Sequence, residues 1–415
     1  MSVDTEVPAR TGNRVAAILV SLALAGNNAA SYVLSLAAAR LLAPGAFGEL
    51  SSLLAVLVIG VVPAMGLQTV VALRVARSPA PHTGSLFALG LMTSAIVATA
   101  ALTLSPLLVL LLHLGSLAPA LLVTAALGPL TLLGLFHGLL QGSHRFATLA
   151  GLIALEGAGK VGGSLVGLVV SGTPTGALAG AALGSLVVVA AGWQICGRPR
   201  PRWADRHGGE VLHTAQAMLA LVLLVNLDLV LARHTLPAGS AGEYALGSIV
   251  TKIAYWLPQA VGVLVLPRFA VSDRRRRVLP VALAVCACLD AVVLLVSLVL
   301  GPSLLTVIGG ARYAGSTLPV WPFALAGSML ALVQILLYAR LADGDRRVTV
   351  LMWSAVGVEA LLITTWLHGS ATQVVTAAAC CAGGLAVAGA LLELRPHHPR
   401  NPTRTPRDQP RIPRD

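Results

Sequence analysis

The sequence predicts an all-α polytopic membrane protein whose twelve transmembrane helices form two parallel six-helix repeats. Three observations predict it. The composition is 56% hydrophobic and only 11% charged, with a mean hydropathy of +0.85, whereas a soluble chain carries about 25% charged residues. A water-soluble enzyme and a disordered chain are both excluded. Apolar runs near the roughly 20 residues that cross a bilayer recur twelve times along the 415 residues. A series of residues in the first half also returns, in order, in the second.

The runs fall at about 15–36, 46–73, 85–112, 118–140, 147–170, 174–196, 211–234, 243–267, 278–300, 317–340, 348–367 and 371–394. The preceding tail, 1–14, holds acids in Met1–Thr11 and no cleavable apolar core, so it reads as cytosolic and not as a signal peptide. Pro63, Pro106, Pro129, Pro258 and Pro322 fall inside spans, where neighbouring helices absorb a lost backbone bond. The basic stretch 198–210, RPRPRWADRHGGE, is the natural linker between a lobe at 15–197 and a lobe at 211–394. The tail 395–415 is rich in Pro and Arg and cannot bury a core, so it is expected to be disordered.

The net charge of +12 would suggest nucleic acid on a soluble chain, but the location of the cations argues otherwise. Of the 26 Arg, only Arg40, Arg233 and Arg312 lie in loops on one side of the twelve-span arrangement. The rest lie on the other side. Such asymmetry puts both termini in the cytoplasm and requires an even number of spans. The charge is thus a matter of orientation and of contact with anionic lipid, and no nucleic-acid partner is expected. Cys196, Cys286, Cys288, Cys380 and Cys381 lack metal-ligand spacing and read as small buried residues.

The repeat carries most of the information. ARLLAPGAFGE at 39–49 answers ARHTLPAGSAGE at 232–243, matching Arg40 to Arg233, Pro44 to Pro237, and Gly48-Glu49 to Gly242-Glu243. Pro63 matches Pro258, LRVA at 73–76 matches PRFA at 267–270, Pro106 matches Pro302, Gly142 matches Gly344, and Glu156 matches Glu359. Each half has six spans, so both enter from the same side and are related by an axis along the membrane normal. That is the architecture of transporters that hold substrate between two halves. Pro and Gly end the first helix of each half. Glu49 and Glu243 are expected to begin the next, where a carboxylate suits the positive helix N-terminus. Arg40 and Arg233 can cap the last carbonyls of a helix or contact a substrate.

Charges inside spans are functional hypotheses by default, and here they are Glu156, Lys160, Asp228, Lys252, Asp290 and Glu359. Glu156 and Lys160 stand at i, i+4 with the acid first, which suits a self-neutralising pair or a cation released to a diphosphate. Lys252 has no acid one turn away; it can bind an anionic headgroup or bridge to Asp228 or Glu359. Asp228 can bind a proton or Na⁺, since hard cations favour oxygen ligands, or hold another helix by a hydrogen bond. Asn226 does not share its face. Asp290 has no assigned partner. Thr251, Thr364, Thr365 and Thr376 can add oxygen ligands, although Thr in membrane helices usually bonds its own backbone. Gly176, Gly180 and Gly184 form a ridge for tight helix packing within the lobe.

YVLSLAAARLLAPGAFGELSSLLAVLVIGVVPAMGLQTVVALRVA, from residue 32, resembles the opening of bacterial polysaccharide-biosynthesis membrane proteins. These are Wzx-type flippases of the multidrug/oligosaccharidyl-lipid/polysaccharide (MOP) exporter superfamily. NLDLVLARHTLPAGSAGEYALGSIVTKIAYWLPQAVGVLVLPRFA, from residue 226, resembles the corresponding segment of the second half. The resemblance runs over roughly 13–395. It implies a V-shaped, two-lobe transporter that moves a polyprenyl-pyrophosphate-linked glycan from the inner to the outer leaflet. It implies cationic residues for the pyrophosphate, here Arg40, Lys160, Arg233 and Lys252. It also implies coupling to Na⁺ or H⁺ through acids of the C-terminal half, here Asp228 and, by approximate position, Glu359, with no other cofactor; Glu156, an acid within a first-half span, is a further ion-coupling candidate. Membrane lipid and polysaccharide-assembly enzymes are the expected partners, the chain acting as a monomer in the bacterial inner membrane.

The alternative is a drug or metabolite antiporter of the same superfamily, against which two lysines in a cavity favour an anionic cargo. An enzyme is not expected, because the longest external loop, about 301–316, holds no acid. GAGK at 157–160 lacks the earlier Gly of a nucleotide-binding loop and lies within a span. A non-transporting scaffold for a polysaccharide assembly is the remaining reading.

Overall fold

The computed structural model describes residues 7–78, 83–203, 208–256, 272–341 and 346–394, and every regular element among them is helical. The first half contains α1 (Val7–Leu41), α2 (Pro44–Gly60), α3 (Val62–Arg77), α4 (Thr83–Leu112), α5 (Ala118–Gly142), α6 (Phe146–Ser171) and α7 (Pro174–Ile195). The second contains α8 (Gly208–Thr235), α9 (Ala238–Trp256), α10 (Ser272–Leu300), the short α11 (Ser303–Gly309), a 3₁₀ turn at Ala311–Tyr313, α12 (Trp321–Leu341), α13 (Arg346–Thr365) and α14 (Ala371–Leu394). Among the described residues, ten helical stretches are long and apolar enough to cross a membrane. The shorter apolar helix at Trp321–Leu336 and α9 stand where the eighth and tenth spans are expected. The far half of the expected eighth span, 257–267, lies outside the described residues, as do Pro258, Gly344, the linker centre at 204–207 and the tail at 395–415.

The second span is one apolar stretch, Pro44–Arg77, broken where sequence chemistry requires it. Pro63 has no amide to donate, so α2 closes with Val61 donating to the Leu57 carbonyl at 3.0 Å and α3 restarts from Val61. Pro106, Pro129 and Pro280 stay inside continuous helices. Pro322 falls at the second residue of α12, a first-turn position where its missing amide is harmless. The α1 helix begins at Val7, well before the apolar run itself.

The repeat is physical. In the first half α1 packs on α6, α3 and α4 pack on α5, and α7 packs on both α5 and α6. In the second half α8 packs on α13, α9 and α10 pack on α12, and α14 packs on both α12 and α13. Each pair in one list is the repeat-equivalent of a pair in the other. The result is a twelve-span, two-lobe membrane protein whose lobes meet along α2 and α3 against α8 and α9.

The expected glycine ridge packs within the first lobe, on a second ridge. Gly176, Gly180 and Gly184 of α7 lie against Gly167, Gly163 and Gly159 of α6, and a Cβ at any of the α7 positions would collide with the opposing carbonyl. Bare backbone contact gives van der Waals attraction, the main driving force between helices in lipid. Gly180→Leu is expected to destabilise this lobe by on the order of 3 kcal/mol, read as a lowered thermal transition of the detergent-solubilised protein. Gly162→Leu on the facing helix α6, where a Cβ meets nothing within 4 Å, is expected to leave the transition in place.

Candidate functional site at the lobe interface

At one end of the bundle the matched glycines of the repeat meet each other. A Cβ on Gly48 would stand 3.0 Å from the Gly242 amide nitrogen, and a Cβ on Gly242 would strike the Pro44 carbonyl. The repeat's Gly is therefore the crossing point of α2 and α9 on the pseudo-two-fold axis. Glu49 and Glu243 do not begin these helices as the sequence suggests. Pro44 and Ala238 do, because Pro suits the first helical turn, and each Glu falls in the second turn. There Glu49 stands 3.9 Å from Arg233, and Glu243 accepts a hydrogen bond from Ser316 at 3.0 Å.

The matched arginines reach across this crossing in opposite directions. Arg40 of the first lobe donates to the Val307 carbonyl (2.9 Å) and the Ile308 carbonyl (3.2 Å) at the end of α11 in the second. Arg233 of the second lobe, buried, donates to the Leu112 carbonyl at the end of α4 in the first (3.0 Å) and more loosely to the Gly45 carbonyl (3.4 Å). Helix C-termini carry unsatisfied carbonyls and partial negative charge, which a guanidinium satisfies. Two further contacts reinforce the same end. Arg312 donates to the Leu41 carbonyl at 3.2 Å. His234 Nδ1 lies 2.9 Å from the Leu111 carbonyl, and its ring stacks on His113. Toward the other end the lobes touch again, where a Cβ on Gly66 of α3 would meet the Val211 carbonyl and Ala215 of α8.

Between these contacts the facing helices expose side chains. Ten residues beyond the crossing glycine on each helix stand Val58 of α2, 50% exposed, and Lys252 of α9, partly exposed. Ten residues of helix span about 15 Å, which sets both near mid-depth. Ile253, 39% exposed, lies within about 20° of the Gly242 line, and Lys252 about 80° from it. Lys252 thus borders the space between the lobes. Lys160 occupies the inner side of α6. It lies about 120° around the helix from Val166, which belongs to the exposed stripe with Leu155 and Val169, and it is itself partly buried. Among the described residues, no carboxylate stands within 4 Å of either lysine. The partner of Glu156 is His137 of α5, with Nε2 at 3.7 Å, and not Lys160. The i, i+4 spacing permits a pair, but the helix packed alongside offers another.

Behind Lys252 the second lobe buries its acids. Asp228 of α8 is 3% exposed and accepts a 2.6 Å hydrogen bond from the Tyr244 hydroxyl of α9 and a 2.8 Å bond from the Leu229 amide. Glu359 of α13 is 1% exposed, with Oε1 unpartnered, and lies within electrostatic range of Asp228. The Lys252 charge also acts on Asp228. Thr251 Oγ1 is buried without a partner, two turns along the same face of α9 from Tyr244. Asp290 of α10 is buried with both carboxylate oxygens unpartnered. Asn226 donates to the Val222 carbonyl, and Thr364, Thr365 and Thr376 bond their own helices. Among the described residues no three His, Cys, Asp or Glu side chains converge as metal ligands. Cys286 and Cys381 are buried, whereas Cys288 and Cys380 are exposed; their spans turn those thiols outward. Sequence reading missed Tyr244, His137 and Ser316. A Tyr sixteen residues from Asp228 sits on another helix and has no periodic signature. His137 alone, a polar residue in an apolar span, carried one.

No family model matches the sequence, and no curated protein does. Solved structures do. The chain superposes on "Lipid II flippase MurJ, inward closed conformation" with a TM-score of 0.73 at 14% identity, covering 91% of this chain and 87% of that one. An "outward-facing conformation of a multidrug resistance MATE family transporter of the MOP superfamily" gives 0.62 at 12% identity, covering 91% and 94%. The "eukaryotic MATE transporter AtDTX14" gives 0.58 at 14%, covering 92% and 96%. The chain has the fold of these transporters. At such identities the likeness establishes the two-lobe fold and leaves the cargo to be argued from the side chains.

Proposed function

We propose that the protein is a Wzx-type flippase of the bacterial inner membrane, with both termini cytoplasmic, which carries a polyprenyl-pyrophosphate-linked glycan to the outer leaflet by alternating access. The observation that carries this reading is the position of the chain's two lysines. Lys252 borders the space between the lobes, Lys160 lies off the exposed stripe of α6, and among the described residues neither has a carboxylate within 4 Å. Lys252 interacts electrostatically with Asp228 without an ion-pair contact; an ammonium lacking a contact partner in a membrane interior is costly unless an anion completes it, and a diphosphate supplies that anion as a point-charge partner. Lys252 and Lys160 hold the diphosphate from the two lobes, while the polyprenyl chain stays in lipid. Arg40 and Arg233, once released from their carbonyls, present further cations at the outer mouth. Glycan-assembly enzymes supply the cargo on one side and consume it on the other.

Asp228, Glu359 and Thr251 are the coupling site in this reading. Two buried acids in electrostatic range favour a shared proton or a bound Na⁺, and either would bias the lobes by its differential affinity for the two states. Glu156, already paired with His137, is a second candidate for proton coupling. Asp228→Asn with Glu359→Gln is expected to make transport insensitive to the Na⁺ or proton gradient while preserving headgroup binding. Binding of a pyrophosphate lipid together with gradient-driven uptake measures both.

The buried acids also favour a second reading, a cation-coupled drug or metabolite antiporter. Proteoliposomes decide between the two. A flippase translocates a fluorescent polyprenyl-pyrophosphate saccharide and ignores cationic drugs; the reverse result overturns the proposal.

A further inference from the structure

A groove on the outer surface of the first lobe lies far from the lobe interface. It arises because α4 and α7 both pack on α5 and leave a furrow above it. The furrow has a volume of about 310 Å³ and is lined by Phe87, Leu132, Phe136, Leu186, Val189 and Trp193, together with Ala190. These side chains sit near the start of α4 and the ends of α5 and α7, the end from which the basic linker leaves. Leu186 and Trp193 are 50% and 38% exposed, so the groove opens toward lipid.

The mouth of the groove is cationic, and its cations are anchored. Gly197 and Arg198 both take left-handed φ, 82° and 52°, an unusual conformation for Arg. It turns the chain back so that the Arg198 guanidinium lies 5.8 Å over the Trp193 ring. The Trp193 indole N–H donates to the Pro199 carbonyl at 3.3 Å. Farther along, the Arg202 amide donates to the Gly84 carbonyl at 2.9 Å, and the Arg202 side chain packs where a Cβ on Gly84 would stand, one turn before Phe87. Arg198, Arg200 and Arg202 are exposed. Arg145 lies within electrostatic range of Cys196 at the same end. Folding has thus tied a basic segment to the rim of an apolar slot, with a Trp at the level where indoles favour the membrane interface.

We infer that this groove is a binding site for an anionic phospholipid, an acyl chain lying against Leu186, Val189 and Trp193 above the buried Phe87 and Phe136 and the headgroup phosphate held by Arg198 and Arg202. Apolar complementarity alone accepts any lipid. Arg198, held over Trp193, and Arg202, whose backbone is tied to Gly84, can bind phosphate bidentately and select the anionic ones. The site is independent of the proposed cargo and survives its failure.

The test is lipid retention by the full-length protein, measured by native mass spectrometry after exchange into matched mixtures of phosphatidylglycerol and phosphatidylethanolamine. Wild type is expected to keep phosphatidylglycerol about tenfold in preference. Arg198→Gln with Arg202→Gln is expected to remove the preference, and Arg→Lys at both positions to restore part of it. Ala190→Trp, which fills the slot from its lipid-facing side, is expected to lower retention of both lipids. Arg77→Gln, at the basic end of α3 and outside the groove lining, separates a built site from diffuse charge. If it reduces the preference as much as the double variant, or if wild type shows none, the site does not exist.

Discussion

Lys252→Glu is expected to abolish translocation of a pyrophosphate-linked saccharide while the protein still reaches the membrane and extracts as a folded species. The size of the effect follows from electrostatics. A charge-assisted contact to a phosphate is worth about 1.5–3 kcal/mol, so Lys252→Gln should lower transport roughly ten- to a hundredfold. Reversal replaces attraction by repulsion of about 4 kcal/mol at contact distance for an effective dielectric near 20, so the total swing lowers transport more than a thousandfold, beyond the floor of a vesicle assay. Reversal also adds a third carboxylate near Asp228 and Glu359. Lys252→Gln therefore matters as the control that leaves the acid pair unchanged in number. Lys252→Arg keeps the charge with a different fork geometry and is expected to retain partial activity. A scaffold that carries nothing would tolerate all three changes in a growth assay that depends on the protein, and that tolerance would sink the reading.

Helix count and the duplication were legible because each is a one-dimensional property. Apolar length counts spans, and Gly48 answers Gly242 at nearly constant offset. The two lysines were legible for a related reason: an ammonium within twenty apolar residues contradicts its surroundings wherever the helix packs. Pairings were not legible. Glu156 has Lys160 one turn away in sequence, yet its nearest polar partner is His137 from the helix alongside. Arg40 and Arg233 could be read as caps, but not as caps on the opposite lobe. Their acceptors at Val307 and Leu112 become neighbours only when the two repeats assemble around their axis. Glu49 and Glu243 were misplaced by a turn because Pro44 and Ala238, and not the acids, set the helix starts.

That reciprocal arrangement makes Arg233→Ala the second large effect, in conformation and not in cargo affinity. Alternating access as proposed requires the Gly48–Gly242 end to open, and opening must separate each arginine from the lobe it grips. Arg233 is 8% exposed, so its bond to Leu112 is poorly replaced by water. Truncation also leaves the Glu49 carboxylate without its cation. A loss of about 2–3 kcal/mol shifts the ratio of closed to open molecules roughly thirty- to a hundredfold. Arg40 is exposed, so Arg40→Ala should shift it less, and the double variant more than either. Pulsed electron resonance between spin labels at Leu117, in the loop before α5, and Gly239, at the start of α9, reads the separation directly. Wild type should give a single short distance, and Arg233→Ala a longer one with a broader distribution. An unchanged distance in the double variant would mean that the arginines only finish helix ends, and that the glycine crossing alone keeps this end shut. In that case Gly242→Val, which forces a side chain against the Pro44 carbonyl, should open what the arginine variants do not. The two devices are separable because one acts through charge-assisted bonds between the lobes and the other through how closely their backbones approach.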